Sequence, residues 1–135
     1  MSPRARRYVQ GTSVGAAVVA AILSPIPLAD EVLLFPSLLG LGVAIGRDRG
    51  LPWRSLPWWP MSATAAKGLA ARAFLNLAVA YLPGVAAVTN ASTGFVLTRV
   101  YGAWADAACA DPEHARPPHR DDFVSALRRV MPRPR

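Results

Sequence analysis

The sequence has a single cysteine, Cys109, among its 135 residues. One cysteine excludes an internal disulfide and any metal site built from several cysteines, and it fits a reducing compartment. The segment from Cys109 to Asp122 gathers carboxylates and both histidines, but it lacks the C-x-x-C or H-x-x-x-H spacing of zinc sites. We therefore expect a proline-rich, solvated linker in this segment, and no metal or cofactor.

Motifs for catalysis and for nucleotide binding are also missing. There is no G-x-x-x-x-G-K-[ST] phosphate loop, and Gly40 and Gly42 lie inside an apolar run rather than between a strand and a helix. A nucleophile held against a histidine is not expected, because both histidines lie in the linker. The arginines are spread over three segments without a groove-entering motif, so nucleic acid is not an expected partner. The sequence predicts a protein that is not an enzyme.

Apolar residues make up 53% of the chain, which is at the high edge for a soluble domain. Runs of Ala, Val, Leu and Ile predict four helices, at 8–23, 30–45, 62–82 and 85–108. Because proline lacks the amide that a helix needs, Pro25 and Pro27 are predicted to form one hairpin turn, and Pro83 with Gly84 a second.

The two halves of the chain share one plan, in which a proline turn joins two apolar helices. This plan predicts an all-α fold of two antiparallel helical hairpins, with four main helices joined by proline turns. Residues 121–131 predict a short C-terminal amphipathic helix. We expect a hairpin domain over residues 1–110 and a basic, proline-rich tail over residues 111–135.

Small and polar residues inside the apolar helices predict close helix packing. Such residues let helix backbones approach each other and form hydrogen bonds between helices. The candidates are Gly40, Gly42 and Gly46 in the second helix, and Asn90, Ser92 and Gly94 in the fourth. A pore lined by Thr89, Asn90, Ser92 and Thr93 in an oligomer is an alternative use of the same polar residues.

Positive charge is concentrated at one end of the predicted hairpins. The chain has 15 Lys and Arg against 8 acids, a net charge of +7. The end that holds the termini and the central loop carries Arg4, Arg6, Arg7, Arg47, Arg49, Arg54, Lys67, Arg116, Arg120, Arg128, Arg129, Arg133 and Arg135. The turn end has only Asp30 and Glu31, and Arg72 and Arg99 are expected to extend towards the basic end. This asymmetry is typical of a cytoplasmic membrane protein with both termini in the cytoplasm.

Tryptophans accompany the basic residues. Amphipathic rings and arginines together favour contact with lipid head groups. The predicted membrane-interface residues are Trp53, Trp58, Trp59, Trp104, Arg47, Arg49 and Arg54.

The same helices would also suit a soluble, cytoplasmic four-helix bundle that acts as a protein-interaction module. The uninterrupted apolar runs are about 10 to 15 residues long, whereas a full membrane crossing needs about 20. Spanning, re-entrant and shallow insertion of the hairpins therefore all stay open.

Two groups of short motifs resemble a known family. They are Ser24-Pro25-Ile26-Pro27-Leu28-Ala29-Asp30, with Leu33 to Gly46, and Leu82-Pro83-Gly84-Val85, with Asn90-Ala91, Thr98 and Tyr101-Gly102. Residues 12–109 resemble the GTPase-associated domain of unknown function typified by YcjF-like proteins. The resemblance implies a hydrophobic module without a GTPase of its own, which localises, oligomerises or serves a separate GTPase. It supplies no catalytic residues, and the tryptophan-rich loop at 52–60 departs from the family pattern.

Overall fold

The computed structural model describes residues 1–23, 29–82 and 84–119, and all regular structure in these ranges is helical. The four α-helices are α1 (Pro3–Leu23), α2 (Ala29–Asp48), α3 (Trp58–Val79) and α4 (Val85–Ala110), with a 3-10 turn at Trp53–Ser55 between α2 and α3. The predicted all-α class with four main helices is confirmed.

The first helix begins five residues earlier than the apolar pattern predicts. Ser2 precedes it, and the Ser2 hydroxyl accepts a hydrogen bond from the backbone amide of Ala5 at 3.0 Å, as an N-cap residue does. Pro3 then occupies the first helical position, where no amide is required. As a result the arginines near the amino terminus lie on a helix rather than in an extended lead.

The third helix also begins early, at Trp58 instead of near Ser62. Pro60 falls within its first turn, where the missing amide has no intrahelical partner to lose. Trp58 and Trp59 therefore belong to a helix rather than to the predicted loop.

Helices α2 and α4 form the centre of the fold, since each packs against all three other helices. The most extensive pairing is between α1 and α4. A buried stripe on α2 consists of Leu34, Leu38, Leu41 and Ile45, whose spacing of three or four residues places them on one side of the helix. Tyr101 of α4 completes this core.

Five glycines lie where a neighbouring element approaches a helix closely, and at four of them a Cβ atom would press on the facing side chain. Three of the five are among the predicted packing residues: Gly42 faces Met61, Gly46 faces Leu56, and a Cβ atom on Gly94 would lie 3.5 Å from the Ala16 carbonyl oxygen, an ordinary contact. The sequence reasoning missed Gly68, which faces Leu97, and Gly102, which faces Val9. The sequence alone does not show which glycines of a helix face a neighbouring helix, so these two could not be singled out.

Two residues predicted to pack against neighbouring helices are exposed instead. Gly40 has no atom within 4 Å of its Cβ position, and Ser92 lies on the outer side of α4. The expected helix contacts at these two positions are therefore not made within this chain. Asn90 is buried, as a packing residue should be.

The predicted turn prolines Pro25, Pro27 and Pro83 lie outside the described residues, as does the predicted C-terminal helix at 121–131. Gly84 precedes α4 with φ of +83°, in the left-handed region that glycine enters without strain. Residues 111–119 contain no helix or strand.

Candidate functional site

Two regions at opposite ends of the helices differ in charge. The apolar half consists of residues 14–23, 29–38, 72–82 and 84–95; Arg72 joins α3 to α2 there, and Gly94 contacts α1. The basic end consists of residues 1–9, 44–60 and 102–119. It is held together by a hydrogen bond from Ser2 to Asp48 and an ion pair between Arg49 and Asp106.

The apolar half exposes most of the large apolar side chains that reach the surface. They are Val14, Val18, Ile22, Val32, Leu33, Phe74, Leu75, Leu77, Tyr81, Leu82, Val85 and Val88. Phe74 is 78% exposed and Tyr81 is 91% exposed. Single exposed apolar residues are normal on a soluble surface, but twelve of them in one half of the molecule favour contact with a membrane or with another apolar surface.

No charged side chain among the described residues of the apolar half is free to face water. Its three charged residues are Asp30, Glu31 and Arg72, and their side chains are 3%, 13% and 2% exposed. The surface of this half is therefore apolar without the solvated charges that usually accompany exposed apolar residues.

These three residues form one buried ionic cluster. The Arg72 guanidinium donates through Nη2 to Asp30 Oδ2 at 2.5 Å and to the Asn90 carbonyl at 3.1 Å, and through Nη1 to Glu31 Oε2. Asn76 Nδ2 also donates to Glu31 Oε1 at 3.3 Å. The cluster thereby connects α2, α3 and α4, and the expectation that Arg72 extends towards the basic end is wrong because its guanidinium is enclosed between carboxylates.

The cluster has one cation for two carboxylates. Unless one carboxylate binds a proton, the interior carries an excess negative charge, and an uncompensated buried charge is costly. Three further polar atoms there lack a partner: Arg72 Nε, Asn76 Oδ1 and Asn90 Oδ1. Since its members come from α2 and α3 and Arg72 also bonds a carbonyl of α4, we interpret the cluster as a device that fixes how these helices pack.

Arginines at the basic end are exposed. They are Arg4, Arg6, Arg7, Arg47, Arg49, Arg54 and Arg116. Only Arg49 is in an ion pair within the described ranges, with Asp106, which also lies 3.1 Å from the Met1 amino group. Arg99 lies between the two regions, over the ring of Phe95 at 5.5 Å.

The four predicted interface tryptophans fall into two pairs. Trp59 is 78% exposed and Trp53 is more than half exposed, so both are accessible to a ligand or a surface. Trp58 and Trp104 are partly buried against a cluster of Leu56, Met61 and Cys109, and their indole N–H groups donate to the carbonyls of Trp53 and Arg116. The second pair holds the loop and the linker against the helices.

The cysteine and the described histidine–aspartate pair of the linker lie in different surroundings, one buried and the other exposed. Cys109 is buried, and burial raises the pKa of its thiol, which disfavours the reactive thiolate. The His114 ring lies 2.9 Å from Asp111, and this contact raises the pKa of His114 and lowers the pKa of Asp111. Within 1–23, 29–82 and 84–119, no group of three metal-capable side chains comes together.

The four polar residues of α4 that the alternative prediction gives as a pore lining differ in burial and bonding. The Thr93 hydroxyl donates to the carbonyls of Thr89 and Asn90 on its own helix, Asn90 is buried and Ser92 is exposed. The predicted hydrogen bonds between helices are thus replaced here by local ones, apart from the bond that Arg72 donates to the Asn90 carbonyl.

In the described part of the chain, one helix is long and apolar enough to cross a membrane. This helix is α2, Ala29–Asp48, with a mean hydropathy of 1.5 and 39% of the residues buried in its most apolar stretch. The core helix of a soluble bundle meets the same criteria, so the argument for membrane contact depends on the surface described above. No family model, curated protein or solved structure matches this chain.

Proposed function

We propose that this chain is a small, non-catalytic, membrane-associated module, in which α1 with α2 and α3 with α4 form two antiparallel hairpins. The apolar half enters the hydrocarbon of the cytoplasmic membrane, and the basic end stays at the cytoplasmic head groups. The observation that carries this proposal is the apolar half itself, which exposes Phe74, Tyr81 and their neighbours without one free charge.

The contacts between helices support the hairpin arrangement. Near the basic end, Ser2 at the start of α1 bonds Asp48 at the end of α2. In the second pair, Gly68 of α3 faces Leu97 of α4, and Arg72, one turn further along α3, bonds the carbonyl of Asn90, earlier on α4. Both patterns are those of helices that run in opposite directions.

The basic end supplies the head-group contacts in this proposal. Arg47, Arg54, Trp53 and Trp59 are exposed, and arginine with tryptophan suits an anionic lipid interface. Arg49 contributes less, because its guanidinium is already paired with a carboxylate. Trp58 and Trp104 are partly buried, so their role is to hold the loop and the linker in place rather than to contact lipid.

The partner in the proposal is a separate GTPase, and this part rests on the sequence resemblance alone. The module would localise or assemble with that GTPase at the membrane. Co-purification of a GTPase with the tagged chain from detergent extracts of its own cell would support this part. Its failure would leave membrane association intact.

Fractionation tests the membrane proposal directly. Membranes from cells that express the chain are washed with high salt, then with alkaline carbonate, and finally extracted with detergent. We expect the protein to stay with the membranes until detergent is added. Release by salt would indicate peripheral binding through arginines, and a soluble, monodisperse protein would leave the four-helix interaction module as the better description.

A matched pair of variants sharpens this test, because Phe74 and Trp59 are both 78% exposed but lie in different regions. A charge in the hydrocarbon costs about 2.5 to 3.5 kcal/mol and far less at the interface, so Phe74→Glu should lower vesicle partitioning roughly 100-fold. Trp59→Glu should lower it less than roughly tenfold. Equal effects of the two substitutions would contradict insertion of the apolar half.

A further inference from the structure

An apolar groove runs along the outer surface between α1 and α2. Its volume is about 230 Å³, and it is lined on α1 by Thr12, Gly15, Ala16 and Val19, and on α2 by Leu33 and Ser37. The Ser37 hydroxyl donates to the Leu33 carbonyl at 2.7 Å, so its hydrogen is already used within the helix. The walls of the groove are therefore suited to an apolar occupant.

Three glycines widen the surface around this groove. Gly11, Gly15 and Gly40 have no atom within 4 Å of their Cβ positions, whereas the five glycines described above face packed neighbours. Glycine is the least favourable residue in a helix interior after proline. Glycines that give no packing within the chain and leave open space beside a groove indicate that something outside the chain lies against them.

Beyond the groove, towards the basic end, the same sides of α1 and α2 each carry an exposed arginine. Arg4, Tyr8 and Thr12 follow one another at four-residue steps and so lie on one side of α1. On α2, the corresponding side runs from Ser37 through Gly40 to Arg47. The bond between Ser2 and Asp48 brings these helix ends together, and neither Arg4 nor Arg47 is in an ion pair within the described residues.

We propose that this groove binds one anionic phospholipid of the bilayer, with an acyl chain between α1 and α2 and its phosphate at Arg4 and Arg47. The inference rests on the proposed membrane association. Arg4 and Val19 are separated by about 22 Å of helix at 1.5 Å per residue, and one leaflet with its head groups is about 20 to 22 Å thick. The groove itself extends from Thr12 to Val19, so a lipid of the surrounding leaflet would reach from the arginines, past Gly11, to the far end of the groove.

Charge favours a lipid over a second copy of this chain. Two copies inserted in the same direction and packed through this face would bring Arg4 and Arg47 of both copies together. Like charges at such an interface oppose association, whereas an anionic head group neutralises them.

The first test measures lipid retained by the detergent-purified chain, using native mass spectrometry with added phosphatidylglycerol or phosphatidylcholine. Gly15→Leu extends into the groove from a position where an added Cβ has no other atom within 4 Å, so the fold should be kept. We expect this variant to retain at least roughly tenfold less phosphatidylglycerol, with Gly15→Ala close to the unmodified chain. Ala21→Leu places the same side chain at an exposed position of α1 that does not line the groove and should also have no effect.

A second pair of variants, each with two arginines replaced and so equal to the other in net charge, tests the phosphate site. Arg4→Gln with Arg47→Gln should reduce retention of phosphatidylglycerol to that of phosphatidylcholine. The control, Arg6→Gln with Arg7→Gln, removes two exposed arginines that lie off the side of α1 shared by Arg4, Tyr8 and Thr12 and should keep the preference. Equal retention by both double variants, or by Gly15→Leu and the unmodified chain, would overturn the proposal.

Flotation with vesicles separates this inference from the proposed function. Gly15→Leu should still float with phosphatidylcholine vesicles, since the apolar half is unchanged. A chain that never floats would refute the membrane proposal and with it the lipid site. A chain that floats but retains no lipid would refute the groove alone. Loss of cross-linked oligomers in Gly15→Leu, with lipid retention unchanged, would identify a second copy as the occupant.

Discussion

The two ionic clusters of the molecule are opposite in charge and differ in burial. In the apolar half, one cation, Arg72, lies between two carboxylates, and its side chain is 2% exposed. At the basic end, one carboxylate, Asp106, lies between two cations, and the side chain of Arg49 is 33% exposed. Breaking a buried pair leaves an uncompensated charge, whereas water screens an exposed one. Removing one charge should therefore cost much more stability in the buried cluster of Arg72 than in the more exposed cluster of Asp106.

The largest effect is expected from Arg72→Met. Removal of the guanidinium leaves Asp30 and Glu31 buried without a cation, and we expect the free energy of unfolding to fall by about 3 to 5 kcal/mol. Denaturant unfolding followed by circular dichroism, in the medium that keeps the protein dispersed, measures the loss.

A compensating variant serves as the control for this prediction. Arg72→Met combined with Asp30→Asn and Glu31→Gln removes all three charges and should recover much of the lost stability. If the triple variant is as unstable as Arg72→Met, volume rather than charge would explain the effect. A stable Arg72→Met would show that the cluster does not hold the helices together.

The next effect compares glycines rather than charges. A Cβ atom on Gly102 would lie 2.5 Å from a Val9 methyl, so Gly102→Ala should destabilise the fold by about 1 to 3 kcal/mol through overpacking. Gly15→Ala meets no atom and removes a helix-interior glycine, so it should stabilise the fold by up to about 1 kcal/mol. Thermal unfolding of both variants measures the contrast, and effects of the same sign would contradict it.

A smaller effect is expected at the basic end. Asp106→Asn removes the shared carboxylate, and we expect a loss of roughly 1 kcal/mol or less, because Arg49 remains hydrated. The loss should shrink further at high salt, as exposed ion pairs are screened. The stability loss caused by Arg72→Met should barely change with salt concentration. If both losses changed equally with salt, the two clusters would not differ in their exposure to solvent.

Sequence reasoning found the helices because long apolar runs and prolines are local signals. It placed the start of α3 at Ser62, because Trp58, Trp59 and Pro60 have the composition of a loop. Proline is nevertheless well tolerated in the first turn of a helix. The charge asymmetry could also be predicted, since most arginines fall in three segments, at the two termini and in the central loop. These features depend on neighbours in sequence.

The ionic cluster could not be predicted in the same way. Arg72 and its two carboxylates are 41 and 42 residues apart, and only the packing of α3 against α2 brings them together. Asp30 and Glu31 also had a sufficient local explanation, as acids in the first turn of a helix. The groove has a similar origin, because open and packed glycines look identical until the neighbouring helix is in place.

The smallest effect concerns the fully exposed pair of His114 and Asp111 in the linker. The carboxylate raises the pKa of His114, so the pair stabilises the linker below the pKa of about 6.5 of an unfolded histidine, and this contribution is lost as pH rises through the folded value. On the acid side it is lost as pH falls through the lowered pKa of Asp111. Asp111→Asn should return the pKa of His114 towards 6.5 in an NMR titration, while Glu113→Gln should leave it raised. Because both side chains are in water, neither change should alter the melting temperature, which places this contact at the opposite extreme from Arg72.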